Sequence, residues 1–173
     1  MVKAHIVAPS YSWIMDGRAP YVGVIGAGEP DRKTEETAEE VGSLLAERGA
    51  VLICGGLGGV MEAACRGAKS ADGVTVGILP GTDRRHGNAY LDVTLPTGMG
   101  EMRNALIVRA SDVLIAVAGE FGTLSEIAFA IKTGVPVVGI DTWDLSGQGR
   151  AGDTVLRAAS PGEAVDRALR ELS

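Results

Sequence analysis

The chain has 173 residues, 46% of them apolar and 22% charged, which predicts one compact, soluble domain and excludes a disordered, collagen-like or coiled-coil chain. A net charge of −6 with only 4% aromatic residues offers neither a basic phosphate-tracking face nor a base-stacking platform, so no nucleic-acid partner is expected. Two cysteines, Cys54 and Cys65, and two histidines, His5 and His86, are too few and too scattered for a zinc cluster, and no metal site is assigned.

In chain order, residues 1–20 carry an apolar stretch broken by Pro9, Ser10, Ser12 and Asp16, read as an arm or edge strand and not as a signal peptide. No apolar run is long enough to span a membrane, and a cytoplasmic protein is expected. Tyr21–Gly26 is a short β-rich run. Asp31 to Arg48 places Ala38, Val41, Leu44 and Leu45 at helical spacing, with Asp31 as N-cap and Gly49 as the stop. Ala50–Cys54 is a strand buried on both faces, and Gly59–Ala71 a helix with Met61, Ala64, Cys65 and Ala68 turned inward. Val74–Leu79 and Leu91–Leu95 are further strands, separated by a polar loop, Gly81–Asn88, that is a candidate ligand lip. Glu101–Ala110 is helical, Asp112–Val117 a strand, Thr123–Thr133 a helix and Val135–Ile140 a strand. A glycine-rich loop, Ser146–Gly152, leads to a short strand at Thr154–Ala158 and a helix opened by Pro161. Such alternation needs right-handed crossovers and predicts a Rossmann-like three-layer α/β sandwich, with a mostly parallel sheet, over the single domain 1–173.

In open α/β sheets ligands bind beyond the carboxyl ends of the strands, where helix N-termini present free N–H groups to anions. Glycine clusters stand at three strand ends here: Gly26 and Gly28; Gly55, Gly56, Gly58 and Gly59; Gly119 and Gly122 with Thr123. Each alone is an ordinary tight turn, but together on one edge they favour a phosphate-bearing ligand. The dinucleotide fingerprint fails because Asp31 stands where its third glycine belongs, and neither a P-loop nor a nucleophile elbow occurs. Arg103 and Asn104 open the helix that leads into the strand ending before Gly119. Arg103 reads either as a bidentate anion clamp or as the partner of Glu101 or Glu126. Thr123–Glu126 fits a capping box, and Glu126 is equally placed to polarise a ligand hydroxyl or water. Glu62 reads as a dipole-pairing acid and His86 as a solvated loop residue.

The ordered segments GGLGGVMEAACRGA (55–68), GILPGTD (77–83), LPTGMGEMRN (95–104) and GEFGTLSEIAFAIKTGVPVV (119–138) resemble the Rossmann-like superfamily of LONELY GUY phosphoribohydrolases and molybdenum-cofactor carrier proteins, closest to the carrier-like branch. In the phosphoribohydrolases a PGGxGTxxE turn holds a nucleotide 5′-phosphate, and its glutamate acts with an upstream arginine on the N-glycosidic bond. By resemblance these roles fall on Gly119, Gly122, Thr123, Glu126 and Arg103. Two departures stand out: Ala118 replaces the proline, and Glu120 the second glycine, bringing a negative charge toward the phosphate position. At about 4 Å that repulsion amounts to roughly 4 kcal/mol if Glu120 faces inward.

Three functions stay open at this point. The first is a binding protein for a phosphorylated nucleotide- or pterin-type ligand, with the molybdenum cofactor as the cargo the resemblance implies. The second is a nucleoside 5′-monophosphate phosphoribohydrolase with Arg103 and Glu126 as catalytic residues. The third is a non-catalytic scaffold whose glycine turns only pack. Alanine-rich apolar stripes over Met61–Ala71 and Leu124–Ile131, and the resemblance itself, predict a homo-oligomer, dimer or tetramer.

Overall fold

A computed structural model describes residues 18–145 and 155–172. Seven strands form one sheet: β1 (Tyr21–Gly26), β2 (Val51–Cys54), β3 (Val74–Leu79), β4 (Val93–Pro96), β5 (Val113–Val117), β6 (Val137–Ile140) and β7 (Leu156–Arg157), in the order β4-β3-β2-β1-β5-β6-β7. Every neighbouring pair is parallel. Among the described residues four helices lie between strands, α1 (Arg32–Glu47), α2 (Val60–Ser70), α3 (Asn104–Arg109) and α4 (Phe121–Thr133), and α5 (Pro161–Arg170) follows β7.

The central strands β1, β2, β5 and β6 are buried on both sides, and their successive residues divide the core into two layers. Val22, Val24, Leu52, Val113 and Ile115 pack against α1, α2 and α5, while Ile25, Ile53, Leu114 and Ala116 pack against α3 and α4. This is the three-layer sandwich expected from the alternating pattern. Asp31 caps α1 as foreseen, its carboxylate accepting the Thr34 amide at 2.8 Å, which also holds that carboxyl below its usual range. Pro161 opens α5 behind the N-cap Ser160, and Ala164, Val165, Ala168 and Leu169 are buried. Cys54 and Cys65 are free, buried thiols with Sγ atoms 3.5 Å apart.

Two expectations change. The helix expected over 101–110 is split, a 3₁₀ turn at Gly100–Arg103 preceding α3, because the chain enters through left-handed backbone at Gly98 and Gly100. The apolar positions of α2 are covered within the chain, Val60, Ala63, Ala64, Cys65 and Ala68 all being buried, and on α4 Ile127 and Ala130 are buried too. Exposed apolar side chains gather instead on the edge strand and the turn after it: Val93, Leu95, Met99 and Met102. The glycine-rich loop 146–152 and most of the 1–20 arm lie outside the described residues. No helix among those residues is long and apolar enough to cross a membrane.

Candidate functional site

Strand order reverses between β1 and β5, so the loops leaving these strands diverge and open a crevice at the carboxyl edge of the sheet. The crevice is a cleft of about 420 Å³, floored by Ile25 and Gly26 of β1 and walled by the turn after β2, the 3₁₀ turn and the N-terminus of α4.

Arg103 ends the 3₁₀ turn with its guanidinium folded into the wall, and the residue is only 7% exposed. Nη2 donates to the Gly55 carbonyl at 3.2 Å, Nη1 donates to Asn104 Oδ1, and buried Nε has no acceptor among the described residues. The seat depends on a glycine: a Cβ on Gly55 would lie 2.5 Å from Nη2 and 2.7 Å from Met61 Sδ. Glu126, on the second turn of α4 and 6% exposed, brings Oε1 to 3.9 Å from Nη1. Burial pushes the Glu126 carboxyl up to about 7 against the opposing pull of Arg103, and burial likewise lowers the guanidinium below its ordinary value. Near neutrality the carboxyl exchanges a proton readily, so it can serve as donor or acceptor to a bound group.

The capping box expected at Thr123–Glu126 does not form. Helix α4 starts two residues earlier, with Glu120 as N-cap and no side-chain cap. Thr123 is therefore the third helical residue, 3% exposed, its side chain filling the place a Cβ on Gly119 would take. Glu126 is freed from the cap amide and faces Arg103. The first-turn amides of α4 have no partner within the helix and point along its axis with the positive end of the dipole. The preceding turn is fixed by Ala118, whose N–H donates to the Ile140 carbonyl at 2.9 Å and whose φ of 51° no proline could adopt. Glu120 is exposed at the rim, where solvent screens its charge.

Of the residues singled out from the sequence, Gly26, Gly28, Arg103, Asn104, Gly122, Thr123 and Glu126 line the cleft. Gly55, Gly56, Gly58, Gly59 and Gly119 do not; Gly55 and Gly119 stand behind Arg103 and Thr123 and let them close in. The loop 81–88 is not a lip. It folds into a 3₁₀ turn, Arg84–His86, and Asn88 braces the turn after β2 by donating to the Leu57 carbonyl at 3.0 Å. The lining also includes residues to which the sequence assigns no ligand role, among them Met61, expected in the core; Glu101, expected only as an ion partner; and Phe121. The available signal was a large apolar residue inside a glycine turn.

A model of the family described as SLOG cluster4 matches residues 19–165. The chain belongs to that family. A protein of Archaeoglobus fulgidus, described only as uncharacterised, is 52% identical over 119 residues, 69% of this chain and 78% of its own. Among solved structures, the molybdenum cofactor binding protein of Rippkaea orientalis superposes with TM-score 0.83 at 37% identity, covering 90% of this chain and 99% of that one. The molybdenum cofactor carrier protein MCP of Chlamydomonas reinhardtii follows the same fold with TM-score 0.79 at 32% identity, over 90% of this chain and 99% of its own. The SLOG cluster4 chain thus has the Rossmann-like architecture of the superfamily its motifs resemble. Among the described residues no group of three or more His, Cys, Asp and Glu side chains could hold a metal ion.

Proposed function

We propose that this protein binds a phosphorylated small molecule in the strand-end cleft and that the molybdenum cofactor, a phosphorylated pterin, is its cargo. The observation that carries the reading is the buried Arg103 beside the uncapped N-terminus of α4: a guanidinium with an unmet Nε donor next to backbone amides that favour an anion. Gly122 supports it, because it lines the cleft and nothing lies within 4 Å of where its Cβ would stand, leaving room for a ligand at that turn. The relatives described as binding or carrying the cofactor share the fold over nine-tenths of the chain. In this reading the first-turn amides and Arg103 hold the phosphate, and a protonated Glu126 removes the competing charge.

Titration calorimetry of a pterin monophosphate against the wild type and Arg103→Gln, with thermal melting in parallel, tests the reading. Loss of a charge-assisted contact of about 1.5–3 kcal/mol weakens binding at least tenfold while the fold persists. Equal affinities, or no binding to the wild type, count against it.

One observation favours the phosphoribohydrolase alternative: a carboxyl titrating near neutrality beside a buried arginine also suits an acid or base acting on a glycosidic bond. Release of free base from AMP by the wild type, abolished in Glu126→Gln, would establish turnover. A scaffold whose glycines only pack accounts for Gly55 and Gly119 but not for the open space at Gly28 and Gly122. We also propose a homo-oligomer, dimer or tetramer, now assigned to the exposed Val93, Leu95, Met99 and Met102; light scattering showing a monomer would reject it.

A further inference from the structure

The chain has only two phenylalanines and two tryptophans, and one of each meets at the mouth of the cleft. Phe121, the first residue of α4, lines the cleft and is 79% exposed, more than any other large apolar side chain described. Its ring stands 5.8 Å from that of Trp143 at an interplanar angle of 39°, within the usual range for an aromatic pair. Trp143 is itself anchored. Its body packs on the core layer beneath α3 and α4, and its indole Nε1 donates to the Glu120 carbonyl at 3.2 Å, tying it to the residue before Phe121. The exposed ring therefore rests on a fixed support, and immobilising it on binding costs little.

We propose that Phe121, backed by Trp143, is the specificity-determining residue of the cleft, a stacking platform that selects ligands carrying a planar heteroaromatic ring. The inference rests on the phosphate-binding reading given above and deepens it by naming what the cleft prefers beside the phosphate. The pairing of functions is physical: amides and a guanidinium hold the phosphate whatever the rest of the molecule is, whereas a bare π-face adds affinity for a flat, polarisable ring that can stack on it.

The test titrates the full chain with three probes: neopterin monophosphate, guanosine 5′-monophosphate and, as a ring-free phosphate, ribose 5-phosphate. The wild type, Phe121→Ala and Phe121→Tyr are compared by calorimetry. The wild type is expected to prefer the two ring-bearing phosphates over ribose 5-phosphate by about tenfold or more, the scale of one ring stacked on an aromatic side chain. Phe121→Ala should erase that preference without weakening ribose 5-phosphate, and Phe121→Tyr should keep it. If Phe121→Ala changes no affinity, weakens all three probes equally, or alters only the sedimentation of the protein, the platform is disproved while phosphate binding stands. If no probe binds the wild type, the phosphate reading fails and the platform falls with it.

Discussion

Oε1 of Glu126 lies 3.9 Å from Nη1 of Arg103, close enough for strong Coulomb attraction and too far for a hydrogen bond. Two buried, opposite charges are thus left loosely paired at the edge of an open cleft. The guanidinium takes its close contacts from the Gly55 carbonyl and the Asn104 amide oxygen instead. Burial without a bond explains why the Glu126 carboxyl rises to about 7 although its neighbour is cationic.

Stability should carry the mark of this carboxyl. Its pKa is raised from an ordinary 4.5 to about 7 on folding, so between these values the native chain keeps a proton that the unfolded chain has released. The contribution is fully present below pH 4.5 and lost as pH climbs through 7, a change of about 3 kcal/mol. Glu126→Gln fixes the neutral form. In urea unfolding, the stability of the variant relative to wild type should therefore increase by about that amount from pH 4.5 to pH 8. A pH-independent difference would show that the carboxyl does not titrate in this window.

The turn before α4 holds an alanine in left-handed backbone. Ala118→Gly should relieve that strain and stabilise the protein by about 0.5–1 kcal/mol, whereas Ala118→Pro should cost about 3 kcal/mol or more by forcing φ and deleting the bond to Ile140. Melting temperatures moving oppositely in the two variants would confirm the turn geometry. A tolerated proline would refute it.

Two glycines, Gly122 and Gly55, should respond differently. At Gly122 an added methyl meets nothing within 4 Å, so Gly122→Ala should leave melting unchanged while crowding an approaching phosphate. At Gly55 the methyl collides with Arg103, and Gly55→Ala should lower stability by about 1–3 kcal/mol as well as affinity. Calorimetry with a pterin monophosphate, paired with melting curves, separates the two outcomes.

Glu120, which stands where the resembled motif has glycine, is exposed at the rim. Glu120→Gln should tighten anion binding only a few-fold, with the gain fading as salt rises. A gain of a hundredfold, insensitive to salt, would mean that the side chain turns inward.

The architecture was legible because each element announces itself locally: Asp31 and Gly49 bracket α1, and the runs VLIC and VLIAV have the continuous apolar character of strands covered on both faces. The start of α4 was not. Thr123 and Glu126 have the spacing of a capping box, but the helix is capped at Glu120, with Thr123 packed tightly on Gly119, so both residues lie three positions further into the helix than a capping box needs. The partnership of Arg103 with the Gly55 carbonyl joins residues 48 apart, a contact that only the assembled sheet edge creates. Phe121 escaped for a related reason, since its one local signal, a large apolar residue inside a glycine turn, does not tell a side chain packed inward from one at a cleft mouth.

The most direct measurement is a ¹H–¹⁵N correlation spectrum of the full chain titrated with neopterin monophosphate. The backbone amides of Gly122 and Thr123 should shift strongly and downfield, together with the Arg103 Nε–H, as they take up the phosphate. If the ligand binds while those three signals stay in place, the anion sits elsewhere and the assigned site is wrong.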